Sequence, residues 1–248
     1  MMTVESLGDI AGLRHIGRIV AQSLKTLESD VRPGISTAEL DALAGELLKA
    51  AGAESAPYLT YRFPGNICVS INDEATHGIP GGRIVAAGDL VKIDLSAAAD
   101  GYYADAAITV AVPPVPERAR KLTTCAKAAL DAGCAQAVAG KPMANIGRAI
   151  QQVVKAQGLR VIPALGGHGV GRALHEEPDV PMHFDPYEHR RLLEGQVITI
   201  EPHITNGKGQ IYQAKDGWTL RTRDKGHVAQ FEHTVVITKG RPLILTAL

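Results

Sequence analysis

The chain lacks most of the features that declare a function outright. It has three cysteines, Cys68, Cys125 and Cys134, an odd number without C-x-x-C spacing. That argues against a disulfide framework and against a zinc finger. Cys125 and Cys134 fall in an alanine-rich stretch of helical pattern and read as small buried apolar residues. Neither sign of charge is in excess: 26 Lys and Arg face 26 Asp and Glu, with a sequence pI near 7.1. No basic surplus advertises nucleic acid as a partner, and no acidic tail is present. The local basic clusters, Arg190-Arg191 and Arg221 to Lys225, read as solvated faces. No apolar run approaches the roughly 18 residues of a membrane span, and the N-terminus lacks the apolar core of a signal peptide. A cytoplasmic chain is expected. There is no G-x-S-x-G elbow, no P-loop, no dinucleotide-binding glycine fingerprint and no H-E-x-x-H. What remains is a 248-residue chain, 45% apolar and 21% charged, long enough for a large buried core.

The pattern along the chain occurs twice. Residues 9–29 carry Ile16, Ile19, Val20, Leu24 and Leu27 at helical period, and Pro33-Gly34 breaks the run. Ser36-Thr37-Ala38-Glu39 has the form of a capping box. It opens a second helix striped with Leu40, Leu43, Ala44, Leu47 and Leu48 and ended by Gly52. In the second half, Arg120, Leu122 and Leu130 answer Arg14, Ile16 and Leu24. At the same offset, Ile146, Ile150, Val154 and Gly158 answer Leu40, Ala44, Leu48 and Gly52. Two strand-like strings match as well, 88–94 against 195–201, and each ends in an acid: Asp94 and Glu201. A further pair, 104–109 against 231–236, aligns Asp105 with Glu232. Its larger offset implies an insertion of about twenty residues around 206–226. Pro113-Pro114-Val115-Pro116 reads as a stiff connector, with Pro116 suited to a first helical turn. The expectation is an α+β chain forming one domain over 1–248. Its halves, about 9–112 and 116–237, would face each other across a pseudo-two-fold axis and each deliver two acids.

Those acids carry the chemistry. Asp94 in KIDLS, Asp105 in YYADAA, Glu201 in ITIEPH and Glu232 in AQFEHT lie among strand-forming residues, with His168 in GGHGVGR. A carboxylate inside an apolar strand is costly to bury, and a cation beside it is the usual remedy. Oxygen ligands with one imidazole suit Mn, Fe, Co or Zn. Two divalent cations would balance the four carboxylates, so a water between them would lose a proton readily and become a nucleophile. Gly166, Gly167, Gly169 and Gly171 around His168 permit tight backbone approach. His77, in a turn-rich stretch, and His175, before Glu176-Glu177-Pro178, fit hydrogen bonding to a scissile amide. His15, His183, His189, His203, His227 and His233 have no comparable context, although His203 and His233 neighbour proposed ligands.

Taken together, these stretches resemble one family. They are Phe63-Pro64-Gly65-Asn66-Ile67-Cys68, Ser70 to Glu74, His77-Gly78-Ile79-Pro80, Asp94 with Asp105, and GHGVGRALHEEP at 167–178. Ile200-Glu201-Pro202, Lys215-Asp216-Gly217-Trp218 and Gln230 to Thr234 complete the set. From about Gly8 to Ile237 the chain resembles the type I methionine aminopeptidases in their short bacterial form. The resemblance implies the pita-bread fold, with antiparallel sheet around a central dinuclear metal site. It implies that Asp105 and Glu232 bridge two divalent ions (Co, Mn, Fe or Zn), that Asp94 holds one and that His168 and Glu201 hold the other. Glu201 would also help move the proton of the attacking water, and a hydroxide bridging the metals would attack the scissile carbonyl. His77 and His175 would contact the substrate amide. Cys68, Phe63, Tyr61 and Trp218 would wall the pocket for a methionine side chain, although a lone tryptophan is ordinarily a core residue. Leu174 and the segment 58–62 depart from the family pattern within that wall. The implied activity is removal of N-terminal methionine from nascent proteins with a small second residue. A monomer, ribosome association, no membrane and no nucleic-acid substrate are the accompanying expectations. A prolidase of the same fold is the nearest alternative, set apart by the extra N-terminal domain those enzymes usually carry.

Overall fold

The computed structural model describes residues 1–247. Its first half begins with two capped helices. Helix α1 (Leu7–Asp30) starts where the Ser6 hydroxyl accepts from the Asp9 amide and the Asp9 carboxylate accepts from the Ser6 amide. Helix α2 (Thr37–Ala50) has the expected box between Ser36 and Glu39. Both bury an apolar stripe, including Ile16, Val20, Leu27, Leu40 and Leu48, against the sheet. That sheet contains β1 (Glu54–Ser55), β2 (Cys68–Ile71), β4 (Leu90–Ala99) and β5 (Tyr102–Ala111), with the short helix α3 (Ala56–Tyr61) after β1. Strand β3 (Glu74–Thr76) lies apart from it. The long β4 is flanked by β2 and β5, both antiparallel. Asp100 and Gly101, at φ 51° and 77°, close the β4–β5 hairpin in the twist that two-residue turns favour.

The second half repeats the plan. Helices α4 (Glu117–Cys134) and α5 (Ala144–Ala156) pack over a core that contains Leu122, Leu130, Ile146 and Ile150. Cys125 and Cys134 are buried on α4 as small apolar residues. The strands are β6 (Arg160–Val161), β7 (Gly166–Gly169), β8 (Glu176–Pro181), β9 (Val197–Ile200), β10 (His203–Thr205), β11 (Ile211–Gln213), β12 (Leu220–Thr222), β13 (Val228–Gln230), β14 (His233–Val236) and β15 (Leu243–Ile244). Strand β9 sits between β7 and β14, as β4 sits between β2 and β5. The inserted segment folds into the β11–β12 hairpin, which pairs with β3 of the first half.

Two boundaries differ from the sequence expectation. Pro116 stands just outside α4 as its N-cap, so the helix opens with Glu117. The two matched strands also end differently: β4 runs past Asp94 to Ala99, whereas β9 stops at Ile200. Pro202 lacks the amide a further ladder bond would need, so Glu201 lies just beyond the strand. No helix among the described residues is long and apolar enough to cross a membrane.

The halves meet along a polar seam. The Thr109 hydroxyl donates to the Gln230 carbonyl at 2.6 Å and accepts from the Gln230 amide at 2.9 Å. The Glu232 amide donates to the Ala107 carbonyl at 2.9 Å. The Thr234 hydroxyl donates to the Asp105 carbonyl at 2.7 Å and accepts from the Asp105 amide at 2.9 Å. Thr109→Val keeps the side chain's shape but strands two buried groups of Gln230. A loss of about 2–4 kcal/mol is expected, read as a lowered urea midpoint with an unchanged m-value. A midpoint equal to wild type would show that the seam contributes nothing.

Candidate metal centre

Strand geometry brings the acids together. Ser96 lies opposite Asp105 in the β4–β5 ladder, and Asp94 precedes Ser96 by two residues on the same face of β4. Asp94 and Asp105 are therefore diagonal neighbours on one surface. Glu232 enters from the break between β13 and β14, Glu201 from the end of β9 and His168 from β7. Asp105, His168, Glu201 and Glu232 are all buried, while Asp94 is half-buried where the surface opens to a cavity.

The histidine is aimed by its surroundings. Its Nδ1 pairs with the Gly169 carbonyl at 2.8 Å, leaving Nε2 facing the acids. Nε2 is 3.5 Å from Glu201 Oε1 and 3.8 Å from Asp105 Oδ2. Thr199 couples two of these groups, for its hydroxyl accepts from the His168 amide at 3.0 Å and donates to Glu201 Oε1 at 2.9 Å. The glycines around His168 are needed for close approach. A Cβ on Gly167 would strike the Thr199 carbonyl, and one on Gly169 would strike the Glu177 carbonyl. Gln230 Nε2 donates to Asp94 Oδ2 at 3.3 Å.

The electrostatics call for cations. Burial and then the charge of Asp105 push Asp94 up to about 8, and burial raises Asp105 to about 6. Burial, followed by the neighbouring carboxylates, drives Glu201 and Glu232 well above the usual range. Asp105 Oδ1 and Glu232 Oε1 are buried with no hydrogen-bond partner. Acceptors without donors, crowded together, are what a positive ion satisfies. Ligand atoms of Asp105, His168 and Glu232 lie within 4.8 Å of one another, a group able to hold a metal ion. Asp94 and Glu201 flank it. Oxygen donors with one imidazole fit divalent first-row ions.

Apart from Glu232, every candidate residue lines one cavity of about 440 Å³. Glu232 instead borders a cleft on another side, beside Ala106 and His233. At the cavity mouth, the His175 ring sits 4.0 Å from that of His168, and the Tyr61 hydroxyl is 2.8 Å from His175 Nδ1. Burial and then His168 hold the His175 imidazole below its ordinary range. His77 is held in the left-handed region at φ 56°, exposed at the same mouth. Phe63 and Trp218 meet edge to face at 5.2 Å. Trp218 is thus a half-buried wall residue and not part of the core. Burial and then Asp94 raise the Cys68 thiol well above its ordinary range, so the wall keeps a neutral sulfur. Leu174 also lines the cavity.

One residue passed over by sequence reading belongs here. His203 lines the cavity, is buried, and has neither ring nitrogen hydrogen-bonded. Its position two residues after Glu201, on an extended stretch, is the signal that placed both side chains on one face.

The same arrangement of elements occurs in known proteins. Methionine aminopeptidase 2 of Bacillus subtilis is 45% identical, with all of both chains covered. The crystal structure of methionine aminopeptidase from Rickettsia prowazekii superposes with a TM-score of 0.95 at 33% identity, over 99% of this chain and 100% of that one. The prolidase of Pyrococcus furiosus shares the fold, with a TM-score of 0.78 at 23% identity over 99% of this chain and 66% of its own. Residues 11–239, which hold all of the clustered acids and His168, match Metallopeptidase family M24, and the chain belongs to that family.

Proposed function

We propose that this chain is a methionyl aminopeptidase, a hydrolase that removes N-terminal methionine from nascent proteins with a small second residue. One observation carries the reading. Asp105, buried with one oxygen unpartnered, opens together with Asp94, Glu201 and His168 into the same cavity as the imidazoles of His77 and His175 and an aromatic wall with a neutral thiol. The full-length likeness to the Bacillus subtilis relative, a methionine aminopeptidase by name, supports it.

In this reading Asp94, Asp105, His168, Glu201 and Glu232 would hold two divalent ions. Such ions neutralise the four carboxylates, acidify a bound water and polarise a carbonyl. Glu201, with one oxygen held by the Thr199 hydroxyl, would take and return a proton at its other oxygen. His175 Nδ1 pairs with the Tyr61 hydroxyl at 2.8 Å, and in the tautomer protonated at Nε2 that ring would donate to the substrate amide. His77, which lines the same cavity, would contact the same amide. Phe63, Trp218, Cys68 and Tyr61 enclose the first side chain, and a polarizable thioether gains from edge contacts with such a wall. The reading extends to a single catalytic unit over 1–248 with halves about 9–112 and 116–237. It also includes a monomer acting in the cytoplasm with ribosome contacts.

The shared fold with the prolidase makes proline-directed cleavage the second reading. Turnover of Met-Ala-Ser is to be compared with that of Xaa-Pro dipeptides, with Mn, Fe, Co or Zn added. Met-Ala-Ser is expected to be the better substrate, and a clear preference for Xaa-Pro would reverse the assignment.

Glu232→Gln and Asp105→Asn should nearly abolish turnover. Divalent ion at a hundredfold excess over its Kd should stabilise the wild type by about 2.7 kcal/mol. Thermal melting of Glu232→Gln should show no such gain, while its metal-free form melts no lower than metal-free wild type, because a like charge has been removed. A full metal-dependent shift in that variant would remove Glu232 from the ligand set.

His175→Ala should lower kcat by about 10²-fold with metal content unchanged. Loss of metal from that variant would make His175 a ligand instead.

A further inference from the structure

The β11–β12 hairpin of the inserted segment 206–226 carries Trp218 to the cavity wall. Two three-residue strands form a marginal unit by themselves, so contacts with the body must fix its place. Leu220 and Ile211 pack against a small cluster of Ala75, Ile162 and Val228. The ladder to β3 is short and irregular: Leu220 faces Thr76 and Arg221 faces Glu74, with a register shift between them. The Thr222 amide adds one backbone bond to the Asp73 carbonyl at 2.9 Å, and Arg221 adds an ionic attachment. Arg221 Nη2 lies 2.5 Å from Glu74 Oε1, and Nη1 lies 3.5 Å from Asp73 Oδ2.

Glu74 is a firm anchor. It is buried, its Oε2 accepts from the Ile71 amide at 2.7 Å, and its Oε1 also accepts from Arg83 Nη1 at 2.8 Å. From Arg221 the constraint passes to Trp218 through a rigid turn. Asp216 accepts from the Trp218 and Thr219 amides, both at 2.9 Å, and from the Thr219 hydroxyl at 2.7 Å. Sequence reading left Arg221 among the solvated charges of 221–225. The structure instead buries its partner and leaves the Arg221 side chain 32% exposed.

We propose that Arg221 is a positioning residue for the substrate side-chain pocket: its ion pair with Glu74 fixes the hairpin that brings Trp218 against Phe63, and so sets selectivity for the first residue. This rests on the reading that the Phe63–Trp218 wall receives that side chain. Strand β3 continues directly toward His77, so one buried carboxylate ties together the wall that holds the side chain and the strand that leads to the amide-contacting histidine.

The test uses Arg221→Met, Arg221→Lys and, as a control on hairpin charge, Arg223→Met in the metal-loaded full chain. Arg221→Met keeps most of the stem's packing. Arg83 and the Ile71 amide still satisfy Glu74, so the fold should persist. Trp218 is the single tryptophan of the chain, so emission and acrylamide quenching report on the wall directly. Arg221→Met is expected to red-shift the emission and raise quenching. KM for Met-Ala-Ser should rise roughly three- to tenfold, with kcat within about twofold of wild type. Cleavage of Leu-first relative to Met-first peptides should increase. Arg221→Lys should recover part of both effects, and Arg223→Met should match wild type. Unshifted emission in Arg221→Met would overturn the proposal, as would an unchanged KM, a fall in kcat alone or an equal effect of Arg223→Met. Failure of the wild type to cleave any Met peptide would instead sink the functional reading, while emission would still decide whether Arg221 holds the hairpin.

Discussion

The structure depends on the contact between 105–109 and 230–234. Side-chain hydroxyls of Thr109 and Thr234 stand in for a regular ladder there, each both giving and receiving a hydrogen bond. Two of the clustered acids, Asp105 and Glu232, are tied into this contact through their own backbone amides. Joining the halves and aiming those carboxylates are therefore one physical act. Relative movement of the halves would change the spacing of the acids directly, without an intervening lever.

This arrangement sets local stability against chemistry. Carboxylates gathered away from water repel one another and resist ionisation, and the chain supplies few donors to relieve them. Asp94 has Gln230 and Glu201 has Thr199, while one oxygen each of Asp105 and Glu232 has none. The surrounding scaffold absorbs the cost with two helix-covered apolar cores and capped helices. Such a division is common where a site must stay under-satisfied until its ion arrives.

Much of this was legible in the sequence because it rests on local rules. Capping at Ser36 and Glu39, helical stripes, and acids at matched positions of repeated strings each follow from nearest-neighbour chemistry. The glycines around His168 were equally informative, since at Gly167 and Gly169 a Cβ would meet the Thr199 and Glu177 carbonyls. What escaped reading depends on partners far apart in the chain. The Tyr61 hydroxyl on His175, and Arg221 on Glu74, join residues whose proximity no periodicity encodes. His203 was missed for a different reason: an unpaired imidazole looks like any other until its burial is known. The unequal ends of β4 and β9 turned on Pro202, a residue present in the sequence string but read there only as part of a motif.

The sulfur of Cys68 has a further significance. Peroxides and electrophiles attack the thiolate form of cysteine, and enclosure at this position disfavours that form. A soft, polarizable surface is thereby offered to whatever occupies the cavity without the oxidative vulnerability that a more exposed cysteine beside cationic groups would carry. The same enclosure that makes the wall a pocket thus disfavours the reactive form of its thiol.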